Sequence, residues 1–344
     1  MQGQLNEGRL LNAFGKLIES GYSTSLVKSY RRRDIKVAGG HIKESDFYYI
    51  GNSRYAICFQ IADYSYLGFA EVMLIDYEKK EFLYKRATKL LTSGKLAMPK
   101  SSAAGDAEFR NDKVMLKFCN DGSIRNIRCK YNNFDGVADF ECDIELIKST
   151  NNSIVTAKSF DNKKMFTYKQ TIPAFKARGK ARIGGRKLSF SEMDSVGILR
   201  WERSATPYKV SKTTASLSDI YNGKLLSFNL STDSTSSINT TDNMMFYDNK
   251  SYKLENVIFD IPKNEKGKAI YTDEWKIKTS DGLLSLKFVP IVNGRVKQQL
   301  CFVSNSSNYL FGYFSGKIKF LDKTEKEVKI DNLLGFIDIT NIRG

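Results

Sequence analysis

The feature that most constrains this chain is an apolar–polar alternation of period two, which recurs in short runs along most of its 344 residues. In an extended strand, such alternation places successive side chains on opposite faces. Clear examples are residues 55–61 and 69–77, and the runs end at turn-forming sequences such as Asn120-Asp121-Gly122. Short strands separated by close turns are typical of antiparallel sandwiches and barrels, so the sequence predicts an all-β protein.

The first residues depart from this pattern and predict a short, partly helical lead-in over residues 1–34. Five apolar side chains recur there at three- and four-residue spacing, as they would on one face of a helix. They are Leu10, Leu11, Phe14, Leu17 and Ile18. We expect the lead-in to pack on the body that follows.

The length of the chain predicts two domains of the same kind after the lead-in. A chain of 344 residues exceeds one average domain. Strand-like runs and turn sequences continue in the same style through both halves, although no repeat aligns residue by residue. We therefore expect a first β domain over residues 35–195 and a second over residues 196–344.

The basic composition leaves two interpretations open. The 54 Lys and Arg residues against 38 Asp and Glu give a net charge of +16. Such a charge attracts nucleic acid, anionic lipid or an anionic substrate, but it also fits a lysine-rich solvated surface. The lysines are spread along the chain, and the one tight cluster is Arg31-Arg32-Arg33. The solvated surface is therefore favoured, and nucleic acid is not expected as a partner.

Several kinds of chemistry are missing from the sequence. Five cysteines without a C-x-x-C pair argue against a disulfide framework or a zinc site and favour a reducing, cytoplasmic location. His41 is the single histidine, and no phosphate-binding, dinucleotide-binding or hydrolase motif occurs. No run approaches about 18 apolar residues, so no transmembrane segment is expected. The sequence thus predicts no metal and no cofactor.

One polar stretch early in the chain carries candidate site chemistry. On an extended strand, His41 and Lys43 share one face, while Glu44 and Asp46 share the other. A carboxylate beside His or Lys can act as a general acid or base, and the alternative is a charged, solvated outer face. Asp63 follows at a strand end, where its alternative role is to cap the next turn.

A second stretch follows a Gly-Gly hairpin signal near the middle of the chain and alternates charge with tryptophan. A strand places Arg200 and Glu202 on one face and Trp201 and Arg203 on the other. Trp201 then either packs on the core or forms a pocket wall. The arginines beside it either face solvent or anchor an anion.

Short motifs in a fixed order give the chain a family resemblance. They are I-K-E-x-D-[FY]-Y-Y at 42–49, D-x-x-Y-x-G at 63–68, D-Y-x-x-K-x-F at 76–82, P-Y at 207–208, N-L at 229–230, T-x-N at 241–243, E-W-K-I at 274–277, L-K-F-x-P at 286–290, F-G-x-F-S-G at 311–316 and L-L-G-F at 333–336. In this order they resemble the bacterial family catalogued as domain of unknown function 2804, over nearly the whole chain. The central run is also distantly similar to lipocalin-like proteins of the hydroxyneurosporene synthase type.

The resemblance implies two lipocalin-like antiparallel β-barrel or sandwich domains with a cleft, and it implies no established activity. The chain departs from it where chemistry would be expected. Arg200 stands where the hydratase-like group has an acid, and Asn308 stands where the family has His. A function carried by those positions would be changed or lost here.

The leading hypothesis is that the cleft binds an apolar or amphipathic small molecule. The alternative is a hydratase, lyase or isomerase acting on such a ligand, with Asp63, Glu44 or His41 as acid or base. A third hypothesis, a binder of anionic surfaces or nucleic acid, depends on the charge alone. The predicted ligand-binding residues are His41, Lys43, Glu44, Asp46, Asp63, Tyr66, Arg200, Trp201, Arg203, Tyr208, Asn229 and Asn243.

Overall fold

The structure, a computed structural model, describes residues 2–235, 240–300, 303–320 and 327–343. These ranges contain 24 β-strands, two short 3-10 helices and no α-helix, so the predicted all-β, lipocalin-like fold class is confirmed. None of their helices is long and apolar enough to span a membrane. Contacts divide the chain into two compact units, Met1–Pro207 with Thr235–Thr240, and Tyr208–Ser234 with Thr241–Gly344.

The first unit consists of one large antiparallel sheet with short additions near the N-terminus. Its strands are β1 (Gly8–Arg9), β2 (Gly21–Ser23), β3 (Lys28–Ser29), β4 (Ile42–Gly51), β5 (Tyr55–Asp63), β6 (Leu67–Asp76), β7 (Glu81–Leu90), β8 (Ala107–Arg110), β9 (Val114–Asn120), β10 (Ile124–Tyr131), β11 (Phe140–Lys148), β12 (Ile154–Ser159), β13 (Phe166–Ile183), β14 (Arg186–Phe190) and β15 (Val196–Ala205). The 3-10 helices are Arg32–Asp34 and Gly39–His41.

The strands of this sheet follow the order β7-β6-β5-β4-β15-β13-β11-β10-β9-β8. β8 also approaches β5, so the sheet curls back toward itself. Alternate residues of each strand point inward and form one hydrophobic core. Ile57, Phe59, Ile127 and Phe166 are fully buried members of it.

The longest strand of this unit, β13, changes partners along its length. Its first part pairs with β12 and its last part with β11 and β14, while β15 runs beside both. The register with β15 shifts between Ile172 and Phe175, where Pro173 lies. A proline has no amide hydrogen to donate and is accommodated at such a bulge. The bulge reverses the alternation, so even-numbered residues face the core before it and odd-numbered residues after it.

The expected helical lead-in is wrong. The described residues of that segment form β1, β2, β3 and a 3-10 turn. The side chain of Asn12 accepts hydrogen bonds from the backbone N–H groups of Phe14 and Lys16, each at 3.0 Å, and Gly15 has a φ of +73°. These bonds turn the chain back and compete with helical hydrogen bonds. Phe14 and Ile18 remain exposed, so the apolar spacing marks no single buried face.

The second unit consists of a second antiparallel sheet. Its strands are β16 (Val210–Tyr221), β17 (Lys224–Asp233), β18 (Met244–Tyr247), β19 (Lys250–Lys253), β20 (Val257–Asp260), β21 (Trp275–Thr279), β22 (Leu284–Leu300), β23 (Val303–Lys319) and β24 (Glu327–Arg343). Their order is β19-β18-β17-β16-β24-β23-β22-β21-β20, and β20 also approaches β17. Trp275, Phe228 and Phe314 are among the buried residues of its separate core.

The strand that follows the central hairpin lies in the first sheet. β15 pairs with β4 on one side and β13 on the other. The change from the first unit to the second therefore comes after Pro207, whereas the sequence analysis places it before Val196.

Candidate functional site

The candidate site lies where β4 meets β5 and β15 in the first unit. Arg203 is paired with Glu44 and Trp201 with Asp46 across β15 and β4, and Glu44 is paired with Asp63 across β4 and β5. All five side chains therefore face the core side of the sheet, and none is more than 6% exposed. A solvated outer face is the wrong interpretation for these residues.

Arg203 is fully buried and fully hydrogen-bonded. Its Nε and Nη2 atoms donate to the carbonyl of Pro99 at 3.1 and 2.7 Å, and its Nη1 donates to Asp46 Oδ1 at 2.8 Å and to two strand carbonyls. The guanidinium also lies over the ring of Trp201, 4.4 Å from its centroid. Arg203 thus ties the segment around Pro99 to the interior of the sheet, and each of its three nitrogens already donates to a protein acceptor.

Glu44 joins the N-terminal segment to the same interior. Its Oε1 accepts a hydrogen bond from the Tyr30 hydroxyl at 2.8 Å, and its Oε2 accepts from Arg32. A second nitrogen of Arg32 donates to Ser65 Oγ at 2.7 Å. Burial, followed by the charge of Glu44, raises the pKa of Tyr30, so its hydroxyl stays a donor. Both oxygens of Glu44 are therefore occupied by protein groups.

Asp63 organises the loop that follows β7. Its two oxygens accept from the backbone N–H of Ser65 at 2.9 Å, Thr92 Oγ1 at 2.9 Å, Gly94 N at 3.0 Å and Leu96 N at 3.3 Å. Hydrogen bonds from backbone N–H groups to a carboxylate are stronger than those between neutral groups. Asp63 is thus a structural anchor that caps its turn and holds the 91–98 loop, as the capping alternative expects.

A group with spare hydrogen-bonding capacity also faces the core of the first unit. Arg125 on β10 is 4% exposed, and its Nη2 donates to the carbonyl of Ser102. Its Nε has no hydrogen-bond partner, and no carboxylate of the described residues lies within ion-pair distance. The guanidinium rests 5.1 Å from the ring centroid of Phe175. A buried charge without an opposite charge is rare in folded proteins.

Three other buried side chains, of Asp46, Tyr48 and Trp201, add polar atoms to the core side of the same sheet. Buried Nε1 of Trp201 has no partner, and Asp46 receives its one described hydrogen bond from Arg203. Burial raises the pKa of Tyr48, while the charges of Arg125 and Arg203 oppose that shift and Asp46 adds to it. Asp46, Tyr48, Arg125 and Trp201 are called the inner polar cluster below.

Lys43 lies on the opposite face of β4 from Asp46 and is also buried. Its ammonium is 5.5 Å from the ring centroid of Tyr64, and its Nζ makes no hydrogen bond to a described residue. Ser204 Oγ, beside it on β15, lies 3.2 Å from Glu202 Oε1. Burial lowers the pKa of Lys43 to about 8, and the charge of Glu202 partly opposes this. An amine in this state can exchange protons near neutral pH.

The other predicted residues of the first unit lie at its margins. His41 Nδ1 is 2.9 Å from the carbonyl of Thr206, which closes the start of β4 onto the end of β15. Tyr66 lies in the turn before β6, and burial raises its pKa. Arg200 lies over the ring of Phe47, 5.6 Å from its centroid.

The remaining three predicted residues belong to the second unit. Tyr208 is 50% exposed. Asn229 Nδ2 donates to the carbonyl of Asp242 at 2.8 Å, and Asn243 Oδ1 accepts from the backbone N–H of Ser231 at 2.6 Å. Both asparagines therefore fasten the segment before β18 to β17.

The chain has relatives among known proteins. Residues 2–343 match the sequence profile of the family described as Domain of unknown function (DUF2804). The chain belongs to the DUF2804 family. A comparison with curated proteins gives no match.

Solved structures similar to this DUF2804 chain share little sequence with it. A Nitrosomonas europaea protein provisionally described as an AttH superposes with a TM-score of 0.54 at 12% identity, over 91% of this chain and 97% of the other. Kievitone hydratase from Nectria haematococca gives 0.47 at 11%, over 93% and 97%. CghA gives 0.42 at 8%, over 100% and 97%. The likeness to the first protein concerns the fold alone.

The inner polar cluster of the DUF2804 chain includes two residues that the sequence analysis missed. Tyr48 lies inside a predicted strand and looks like an ordinary core aromatic. Arg125 could have been found from the sequence, because it occupies the same alternate positions of β10 as Ile127, Cys129 and Tyr131, which face the core. A charged residue at a position where the alternation predicts an apolar one indicates a buried charge. Among the described residues no set of three His, Cys, Asp or Glu side chains is arranged to hold a metal.

Replacement of Asp63 by Ala should release the 91–98 loop. Four donors lose their acceptor, so we expect the free energy of unfolding to fall by about 2–4 kcal/mol. Trypsin should cleave faster after the exposed residues Lys95 and Lys100. The control Asp161→Ala, at an exposed position, should change neither quantity. An Asp63→Ala protein with wild-type stability and cleavage rates would contradict the anchoring role.

Replacement of Lys43 by Met should stabilise the protein in a pH-dependent way. The pKa of Lys43 is about 8 in the folded chain against 10.5 ordinarily, so between these values the unfolded chain binds the extra proton. The penalty of a buried ammonium is therefore full below about pH 8 and disappears as the pH approaches 10.5. Urea unfolding should show an advantage of up to about 3 kcal/mol for Lys43→Met near neutral pH.

The same stability advantage should shrink steadily as the pH is raised through that window. Exposed Lys79, replaced by Met, provides the matched control and should show no pH-dependent difference from the wild type. A constant difference between Lys43→Met and wild type at every pH would mean that the amine is not desolvated.

Proposed function

We propose that this protein binds an apolar or amphipathic small molecule, and that the inner polar cluster of the first unit receives the polar end of an amphipathic, anionic ligand. The carrying observation is Arg125, a buried guanidinium without a carboxylate partner in the part of the chain that the structure describes. An arginine stays charged at any physiological pH, so it cannot relieve its burial by losing a proton. A ligand carboxylate would supply the missing charge.

The groups around Arg125 suit a carboxylate better than a neutral head group. A guanidinium binds a carboxylate through paired hydrogen bonds, and Arg125 Nε is unused. Trp201 Nε1 is a second unused donor. Asp46 already faces Arg203, so its charge is compensated and does not repel the ligand strongly. The cluster thus offers two donors and one uncompensated positive charge.

Aromatic rings near the cluster provide walls for an apolar body. Tyr48 packs against Phe118 with ring centroids 4.7 Å apart, and Trp201 packs against Tyr168 at 5.4 Å. The interior of small β-barrels is a frequent site for one small ligand, oriented by few polar groups among apolar walls. This combination favours an amphipathic over a purely polar ligand.

In this proposal the loop of residues 91–105 covers the ligand site. Asp63 holds its first half, Arg203 holds the carbonyl of Pro99, and Arg125 holds the carbonyl of Ser102. The same arginine would therefore contact both the loop and the ligand. In this proposal ligand binding and loop position are coupled through Arg125.

A ligand screen tests the proposal directly. Fatty acids and isoprenoid acids are compared with alcohols of the same carbon skeleton, by thermal shift and by native mass spectrometry of the purified protein. We expect the acids to stabilise the protein more than the matched alcohols. Replacement of Arg125 by Met should weaken acid binding at least about tenfold, and alcohol binding much less.

The variants also separate binding from folding. Removal of an uncompensated buried charge is neutral or stabilising, so ligand-free Arg125→Met should be at least as stable as the wild type. Arg110→Met, at an exposed position on the edge strand β8, is the matched control and should bind the acids normally. Failure of every acid to bind, or equal binding by wild type and Arg125→Met, would refute the proposal.

A second function, catalysis of hydratase, lyase or isomerase type, is favoured by Lys43. Of the residues predicted as acid or base, Glu44 and Asp63 have their oxygens occupied, and His41 Nδ1 contacts the carbonyl of Thr206. Lys43 was not among them, but it has a pKa of about 8. At about pH 7 roughly one in ten such amines is neutral, against about one in several thousand for an ordinary lysine. NMR titration of the Lys43 side chain should therefore give a pKa well below that of the exposed lysines. A pKa in the ordinary lysine range would remove it as a catalytic candidate.

A further inference from the structure

The hairpin of β13 and β14 borders an open groove of about 650 Å³ in the first unit. This hairpin groove is lined by five basic side chains on the three strands β10, β13 and β14. They are Arg128, Lys130, Lys180, Arg182 and Lys187. Two acidic side chains, Glu141 and Asp143, lie between them on β11. The groove therefore carries an excess of positive charge within a small, concave space.

The pairing of the strands explains how this charge is arranged. Lys130, Glu141, Arg182 and Lys187 stand directly opposite one another across β10, β11, β13 and β14. This row contains one acidic and three basic residues, and Arg182 and Lys187 are direct neighbours of like charge. Like charges opposite each other on a sheet are unfavourable unless a counter-charge lies between them.

The acidic residues of the groove are already engaged. Glu141 accepts from Arg182 at 2.8 and 3.0 Å and lies 3.8 Å from Lys130. Asp143 lies 3.3 Å from Arg128 and accepts from an asparagine amide. Lys180 and Lys187 form no ion pair with a described residue. Lys180 stands opposite Asp143, which it shares with Arg128, and Lys187 stands opposite Arg182. The two ammonium groups are thus only partly compensated at the hairpin.

The hairpin groove is separate from the inner polar cluster. Core residues such as Ala181 and Leu188 line the groove beside exposed Lys180 and Arg182, but no residue of the inner polar cluster does. Arg186, near the hairpin turn, pairs with Asp76 and Glu81 and takes no part in the lining. A ligand of the groove would contact none of the residues proposed to bind a carboxylate in the interior.

We propose that the hairpin groove binds a small molecule that carries a phosphate monoester. A phosphate dianion can neutralise Lys180 and Lys187 together and accept from Arg182, whereas a single carboxylate supplies half the charge. The volume falls within the range of pockets for small ligands. The concave shape favours a small phosphate compound over a membrane surface or a nucleic acid, which require an extended face.

Phenyl phosphate is the probe, with anisole as the uncharged analogue, and binding is measured by isothermal titration. We expect the wild type to bind phenyl phosphate and not anisole. The double variant Lys180→Gln/Lys187→Gln should lose at least about tenfold in affinity. The matched double variant Lys79→Gln/Lys163→Gln removes the same charge at exposed sites elsewhere and should bind as the wild type.

Further arms distinguish this site from the interior one and from surface binding. Arg125→Met should leave phenyl phosphate binding unchanged, so failure of the interior proposal does not affect this one. Anionic phospholipid vesicles and single-stranded DNA should bind no more tightly per phosphate than phenyl phosphate. Equal affinity of the wild type and the Lys180→Gln/Lys187→Gln variant would overturn the proposal. Binding to vesicles or DNA without binding to phenyl phosphate would overturn it as well.

Discussion

The pairing register of β4 with β15 determines how this sheet uses its polar residues. The observed register puts Glu44 opposite Arg203 and Asp46 opposite Trp201, all on the core side, with Lys43 on the other side. A shift by one residue would exchange the two sets and leave the carboxylates without their arginine. Each buried charge in the network is compensated only in this register. The charges therefore act as a device that selects one pairing over its neighbours.

The two buried arginines of the first unit differ in a way that separates structure from function. Arg203 makes five hydrogen bonds and contacts a carboxylate, so the fold itself accounts for it. Arg125 is nearly as buried, yet it lacks an anion and leaves one nitrogen unpaired. Burial of a charge without a partner is unfavourable, so its presence calls for a partner outside the described chain. Arg125 is the better candidate for contact with a ligand because it lacks a protein partner for its charge, although Arg203 is the arginine that the sequence motifs point to.

The alternation of apolar and polar residues allowed the strands to be predicted from the sequence. The predictions that failed depend on contacts that this alternation does not describe. Period two predicted the strands and the opposite faces of Arg200 and Trp201. It could not show that Arg203 reaches Pro99, because that contact joins distant segments. The helical lead-in failed because a side-chain acceptor, Asn12, took the backbone donors that a helix needs. Arg125 was missed, although the alternation of β10 already predicts from the sequence that it faces the core.

β10 explains how one sheet can carry two unlike basic sites. Its odd-numbered residues, from Arg125 on, face the interior, whereas Arg128 and Lys130 are exposed and line the hairpin groove. The two sites share a strand but neither a face nor a dielectric environment. Salt screens the open groove strongly and buried Arg125 weakly. Binding of an anion that persists when salt is added therefore occurs in the interior, and binding that salt abolishes occurs in the groove. The net charge of the chain does not distinguish the two sites.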